Sequence, residues 1–102
     1  MSVSRVDRNR VELVGEITGP VRVRDFESGS VLLSFSLRVR TAGPDGQATA
    51  SVPVAWWDPG TDGADMPGRR ARVSGRVIRR FFSTPGGLRS VTEVVANEVE
   101  MN

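Results

Sequence analysis

The stretch Val31-Leu32-Leu33-Ser34-Phe35-Ser36-Leu37-Arg38-Val39-Arg40 alternates in strict two-residue steps. Val31, Leu33, Phe35, Leu37 and Val39 fall on one side, and Leu32, Ser34, Ser36, Arg38 and Arg40 on the other. Successive side chains of a strand point to opposite faces, so this is a strand with one face in a core and one in water. The same period runs outward from it. Towards the N-terminus, Val11, Leu13, Gly15 and Ile17 mark a first strand over Asn9–Thr18 that Gly19-Pro20 punctuates. Extended chain resumes from Val21 to Phe26, before the turn cluster Glu27-Ser28-Gly29-Ser30. Towards the C-terminus, a flexible loop over Thr41–Gln47 leads to a third strand, Ala48–Trp57, in which Val52, Val54 and Trp56 alternate with Pro53, Ala55 and Trp57. Pro53 has no N–H to give and argues for an edge or bulged position. Asp58–Gly68 is rich in Gly and Pro and reads as an irregular loop. Ala71–Phe82 and Leu88–Met101 form a fourth and a fifth strand around the turn Ser83-Thr84-Pro85-Gly86-Gly87.

Five strands, several of about ten residues, expose long edges if they lie flat, and closing them into a small barrel removes those edges. Gly15 and Gly75 sit mid-strand, where a missing side chain permits the bend or bulge of a barrel corner. The expected fold class is therefore all-β, with the five-stranded OB-fold, a Greek-key β-barrel, as the leading architecture. An SH3-like barrel or a small β-sandwich satisfies the same pattern. The 102 residues suffice for one such domain, expected to span 1–102.

Composition narrows the function. With no Cys and no His, the chain lacks disulfides, thiolate metal sites and the usual proton shuttle. Asp58, Asp62 and Asp65 depart from the spacing of a Ca²⁺ loop, and no bidentate Glu follows. The chain has no His or Lys to activate a Ser or Thr, and Gly86-Gly87 lacks the lysine of a phosphate loop. The expectation is a non-enzyme with no metal and no cofactor. The apolar runs are far shorter than the roughly 20 residues of a membrane helix, and residues 1–10 show no apolar core of a secretory signal. A cytoplasmic location is expected.

All 14 basic residues are Arg, a bias that GC-rich codon usage also produces, and 12 carboxylates leave a net charge of +2. The positive field is local, with Arg69, Arg70, Arg72, Arg76, Arg79 and Arg80 within twelve residues.

Asn9-Arg10-Val11-Glu12-Leu13-Val14-Gly15 resembles the opening strand, Asn-x-Val-x-Leu-x-Gly, of bacterial single-stranded DNA-binding proteins. Pro20-Val21-Arg22 with Ser28-Gly29, Phe35-Ser36-Leu37, Gly75-Arg76 with Arg80-Phe81-Phe82, and Thr92-Glu93-Val94-Val95-Ala96 are similar to that family's later elements, in order. The resemblance implies an OB-fold that holds single-stranded DNA in replication, recombination or repair, near the nucleoid. It implies a homo-oligomer, a dimer or tetramer, paired through the edge of the first strand. Replication or repair proteins are further implied partners.

Such recognition, blind to sequence, needs cations on phosphates and flat rings under bases. By resemblance Trp57 and Phe82 are the stacking rings; Arg38, Arg40, Arg76 and Arg80 share outward faces and are expected on phosphates. A second reading has Trp57 plugging a barrel end, and the arginines as solvated surface. Trp56 follows the core register, and one of Phe81 and Phe82 is expected inside. Two further stacking positions of the family fall near Ala42 and Ser51, neither aromatic, which implies fewer stacked bases.

Two departures stand out: the family's helix between its third and fourth strands has no counterpart in Asp58–Gly68, and no acidic tail follows Glu100-Met101-Asn102. The chain is then a shortened piece, a tail-less paralogue, or a relative like the primosomal replication proteins. A barrel used as a protein-interaction module, or one directed to RNA, is the competing expectation.

Overall fold

Each alternating stretch becomes a strand in the computed structural model, which describes residues 5–102. The reading of the N-terminal segment therefore falls in part on residues 1–4, outside the described residues. The strands are β1 (Val11–Asp25), β2 (Val31–Gly43), β3 (Gly46–Trp57), β4 (Arg70–Thr84) and β5 (Gly87–Met101). They close in the order β1-β2-β3-β5-β4. β1 bridges the ring, pairing with β4 through Val11–Glu16 and with β2 through Glu16–Asp25. The β3–β5 pairing is parallel and spans only Val54–Trp56 against Val94–Ala96. Pro53 thus lies just before that contact, where β3 has only β2 beside it.

The core is what the two-residue period requires. Leu33, Phe35 and Leu37 point inward from β2 and meet Ile17, Val54, Val73 and Val94. Trp56 is half-buried against this cluster. Gly15 and Gly75 are close-approach positions: a Cβ on Gly15 would stand 2.2 Å from the Arg38 carbonyl oxygen, and one on Gly75 2.0 Å from that of Val95. The ladder between β4 and β5 shifts register at Ser74/Gly75, the bulge of a barrel corner.

Several details differ from expectation. Gly19-Pro20 does not end β1; it forms a bulge in which Thr18–Arg22 spans the space of Ser36–Ser34, with Gly19 at φ 70°. The loop at Thr41–Gln47 shrinks to the turn Pro44-Asp45, because β2 and β3 stay paired out to Gly43 and Gly46. Asp58–Gly68 is irregular as expected, yet it supplies Met66, which is fully buried and packs into the core. Neither Phe81 nor Phe82 is core: they are 58% and 41% exposed. Both lie where β4 and β5 have left the barrel and pair only with each other, so each face of that ribbon meets water. The 16.0 Å radius of gyration, against roughly 13 Å for a round domain of this length, reflects the projecting β2–β3 and β4–β5 ribbons.

Candidate nucleic-acid interface

Residues opposite one another in a ladder share a face, so the register alone assembles the outer surface. Arg24 lies opposite Leu32 and Leu32 opposite Trp57; on the far side Arg76, Ile78, Arg80 and Phe82 lie opposite Val95, Glu93, Val91 and Arg89. These rows meet in a groove of about 320 Å³ lined by Arg24, Phe26, Leu32, Ser34, Trp57, Ile78, Arg80 and Glu93, among others. A second depression of about 260 Å³ shares Ser34 and Glu93 with it and runs past Arg22 to the Gly19-Pro20 bulge. A larger hollow, about 520 Å³, lies over Asp58–Asp62 and offers carboxylates without a cation, which disfavours an anionic ligand.

Trp57 is 44% exposed and faces the groove, so it is no barrel plug. Its ring centroid lies 5.3 Å from that of Phe26, and the Arg24 guanidinium stands 4.9 Å from the Phe26 centroid. Across the groove the Arg80 guanidinium is 5.8 Å from the Phe82 centroid. Arg80 Nε donates to Glu93 Oε1 at 3.1 Å, leaving the Nη groups for other partners. Glu93 is the one carboxylate lining the groove; its side chain is only 13% exposed.

The six residues singled out by sequence are therefore not one cluster. Trp57 and Arg80 line the groove, and Phe82 continues its wall beneath Arg80. Arg76 is exposed on the same face of β4 but does not line the groove. Arg38 and Arg40 lie further along β2, in a small pocket with Gly15, Glu16 and Arg70. There Arg38 Nη2 donates to Glu16 Oε1 at 2.5 Å, while its Nε is buried without a partner among the described residues. Ser51, opposite Arg38, and Ala42, on the β2–β3 ribbon, offer no ring.

Arg24, Phe26 and Glu93 were not anticipated. A signal for the first two existed: Arg22 and Arg24 keep the outward parity of β1, and Phe26 stands at the lip of the Ser28-Gly29 turn. Among the described residues no group of three or more acidic, His or Cys side chains gathers as a metal site, and no helix is long and apolar enough to cross a membrane.

A five-stranded Greek-key barrel closed through a short parallel β3–β5 contact, with a cationic and aromatic groove across its outer face, is an OB-fold. The family comparison adds the second step. Residues 8–102 match the model of the single-strand binding protein family, and the chain belongs to that family. Its structure is similar to a Plasmodium falciparum SSB in complex with ssDNA, with a TM-score of 0.80 at 19% identity, over 97% of this chain and 96% of that one. At that identity the likeness bears on fold. No curated protein matches the sequence.

Proposed function

We propose that this protein binds single-stranded DNA irrespective of sequence, and serves replication, recombination or repair at the cytoplasmic nucleoid without catalysing a reaction. The observation that carries the reading is the convergence of Trp57 and Phe26 with Arg24 and Arg80 on one groove. Rings stack any base and guanidinium groups meet any phosphate, so such a groove follows a strand without reading it. Phe82 stacks a further base where Arg80 stands over it, and Arg76 meets a phosphate beside the groove. Arg38 and Arg40 meet phosphates that pass along β2. Residues 1–102 act as one binding domain. Over Val11–Val14 the edge of β1 turned away from β4 has no strand partner among the described residues, and we assign subunit pairing in a homo-oligomer to it.

A titration with an oligothymidylate of about 35 nucleotides, followed by tryptophan quenching across a salt series, tests this reading. Quenching should favour the single strand over duplex, and log K should fall with log salt by about 0.7 per phosphate contacted. The pairing of Arg80 with Glu93, and the missing rings at Ala42 and Ser51, favour instead a barrel that docks on a replication or repair protein. Equal, salt-labile binding to single and double strands would select that reading.

A further inference from the structure

Trp57 ends β3, and Asp58 after it is the one non-glycine residue at positive φ among the described residues, at 48°. Asp and Asn tolerate this left-handed backbone better than other side chains do. Leu32 and Trp57 are the last partners of the β2–β3 ladder, so a continuing ladder would pair Val31 with Asp58 through two backbone hydrogen bonds. Only one of the two is backbone: the Asp58 N–H donates to the Val31 carbonyl oxygen at 2.7 Å. The side chain supplies the other, with Asp58 Oδ1 accepting from the Val31 N–H at 2.8 Å.

Val31 opens β2 and pairs on its other side with Asp25 of β1. The turn between Asp25 and Val31 carries Phe26, whose N–H donates to the Ser30 carbonyl oxygen and whose own carbonyl accepts from the Gly29 N–H, both at 2.9 Å. The Asp58 carboxylate therefore fastens the end of β3, with Trp57, to the root of the turn that holds Phe26. Those two rings stand 5.3 Å apart at the groove. Asp58 lines the neighbouring hollow and not the groove, so it acts through the rings and not on the strand. A ring pair held in place before a strand arrives has less freedom to lose on binding.

We propose that Asp58 is a positioning residue for single-strand binding: its carboxylate clasps Val31 and so pre-orders the Trp57–Phe26 platform on which a base stacks. The inference rests on the groove reading and names what holds its rings ready. The acceptor atom does this, not the negative charge.

The test compares Asp58→Gly and Asp58→Asn with the parent, by anisotropy of a labelled oligothymidylate of about 35 nucleotides across a salt series. Asp58→Gly keeps the left-handed backbone without strain and removes the acceptor. It should weaken binding by about 2- to 12-fold, the cost of ordering one side chain on association, and leave the salt slope unchanged. Asp58→Asn keeps an acceptor oxygen and tolerates the backbone, and should stay within about twofold of the parent. In the DNA-free protein, with Trp56→Phe leaving Trp57 as the sole fluorophore, the fluorescence anisotropy of Trp57 should fall in Asp58→Gly and hold in Asp58→Asn. Parent-like affinity or parent-like Trp57 anisotropy in Asp58→Gly would overturn the proposal. So would a loss in Asp58→Asn equal to that in Asp58→Gly, or a several-fold gain, which would mark Asp58 as a repelling charge. A loss that follows the unfolded fraction in thermal melts would overturn it too, by reducing Asp58 to a stabilising residue. Failure of the groove reading looks different: the strand would not quench Trp57 in the parent, while the loosening of the DNA-free ring in Asp58→Gly would persist.

Discussion

The rings of Phe26 and Trp57 stand 5.3 Å apart at a tilt of 42° and join the end of β1 to the end of β3 across the mouth of the groove. A tilted pair at this distance contributes about 0.5–1.5 kcal/mol beyond the area it buries. Trp57→Ala should weaken single-strand binding by about 5- to 150-fold, while Trp57→Phe keeps most of it. Phe26→Ala removes the ring that braces Trp57 and should weaken binding by a comparable factor, because Trp57 is then free to turn. Calorimetric titration measures all three; a Trp56→Phe background leaves Trp57 as the sole fluorophore for a parallel optical reading.

Arg38 and Arg40 differ in how free they are, although they share a face of β2. Glu16 lies opposite both Arg38 and Arg70 and accepts from Arg38. The pair is about one-third exposed on both sides, which makes it worth at most about 1 kcal/mol of stability, so variants there should fold. Arg40→Ala should lower the slope of log K against log salt by about 0.7, and Arg38→Ala by less, since a carboxylate already meets that guanidinium. Glu16→Gln should steepen the slope and tighten binding at low salt. Titrations at four or more salt concentrations separate these outcomes.

Met66 does for the barrel what no strand residue does: a loop of Gly, Pro and Asp delivers one fully buried side chain to the core. Met66→Ala should cost about 2–5 kcal/mol. For a chain of this size that lowers the melting temperature by about 10 °C or more. Gly75→Ala should be at least as damaging, because backbone blocks the added methyl. Both losses are expected in thermal unfolding, with single-strand affinity per folded molecule unchanged for Met66→Ala.

The strands were legible because each carries a period of two, and β2 is the plainest case: Leu33, Phe35 and Leu37 are all buried, Ser34, Ser36 and Arg38 partly open. Gly15 and Gly75 were legible as mid-strand glycines at a bend or bulge, which the register shift at Ser74/Gly75 matches, whereas the close backbone approach at both depends on the neighbouring strands. Met66 was not legible, since its burial depends on where an aperiodic loop folds back. The pairing at Phe81-Phe82 misled, because alternation assigns opposite faces but cannot say that the ribbon has outrun its core. Within the candidate site, the family resemblance pointed to Trp57 and outward parity to Arg80, and both line the groove, whereas Glu93 needed the register of β5 against β4. Arg38 was placed on the correct face, but its partner Glu16 comes from a strand 22 residues away in sequence.

Glu98 and Glu100 share the outward face of β5, opposite Ser74 and Arg72 of β4. The hydrogen bond between their side chains, then the charge of Glu100, raise the Glu98 pKa above its ordinary 4.5, and Arg72 offsets this only in part. A carboxyl with a raised folded-state pKa favours the fold when protonated. That contribution is complete below the ordinary value and is lost as pH rises through the folded value, so at neutral pH the pair strains the sheet. Glu98→Gln keeps a hydrogen-bonding partner for Glu100 and removes one charge. Its melting temperature should exceed the parent's at about pH 7, and the gain should fade below about pH 4, where the parent carboxyl is itself protonated. The site is fully exposed, so the gain should be small and should shrink further in high salt. Melts of both proteins across that pH range, at low and high salt, measure it. A gain that is constant with pH would assign the effect to strand propensity instead of charge.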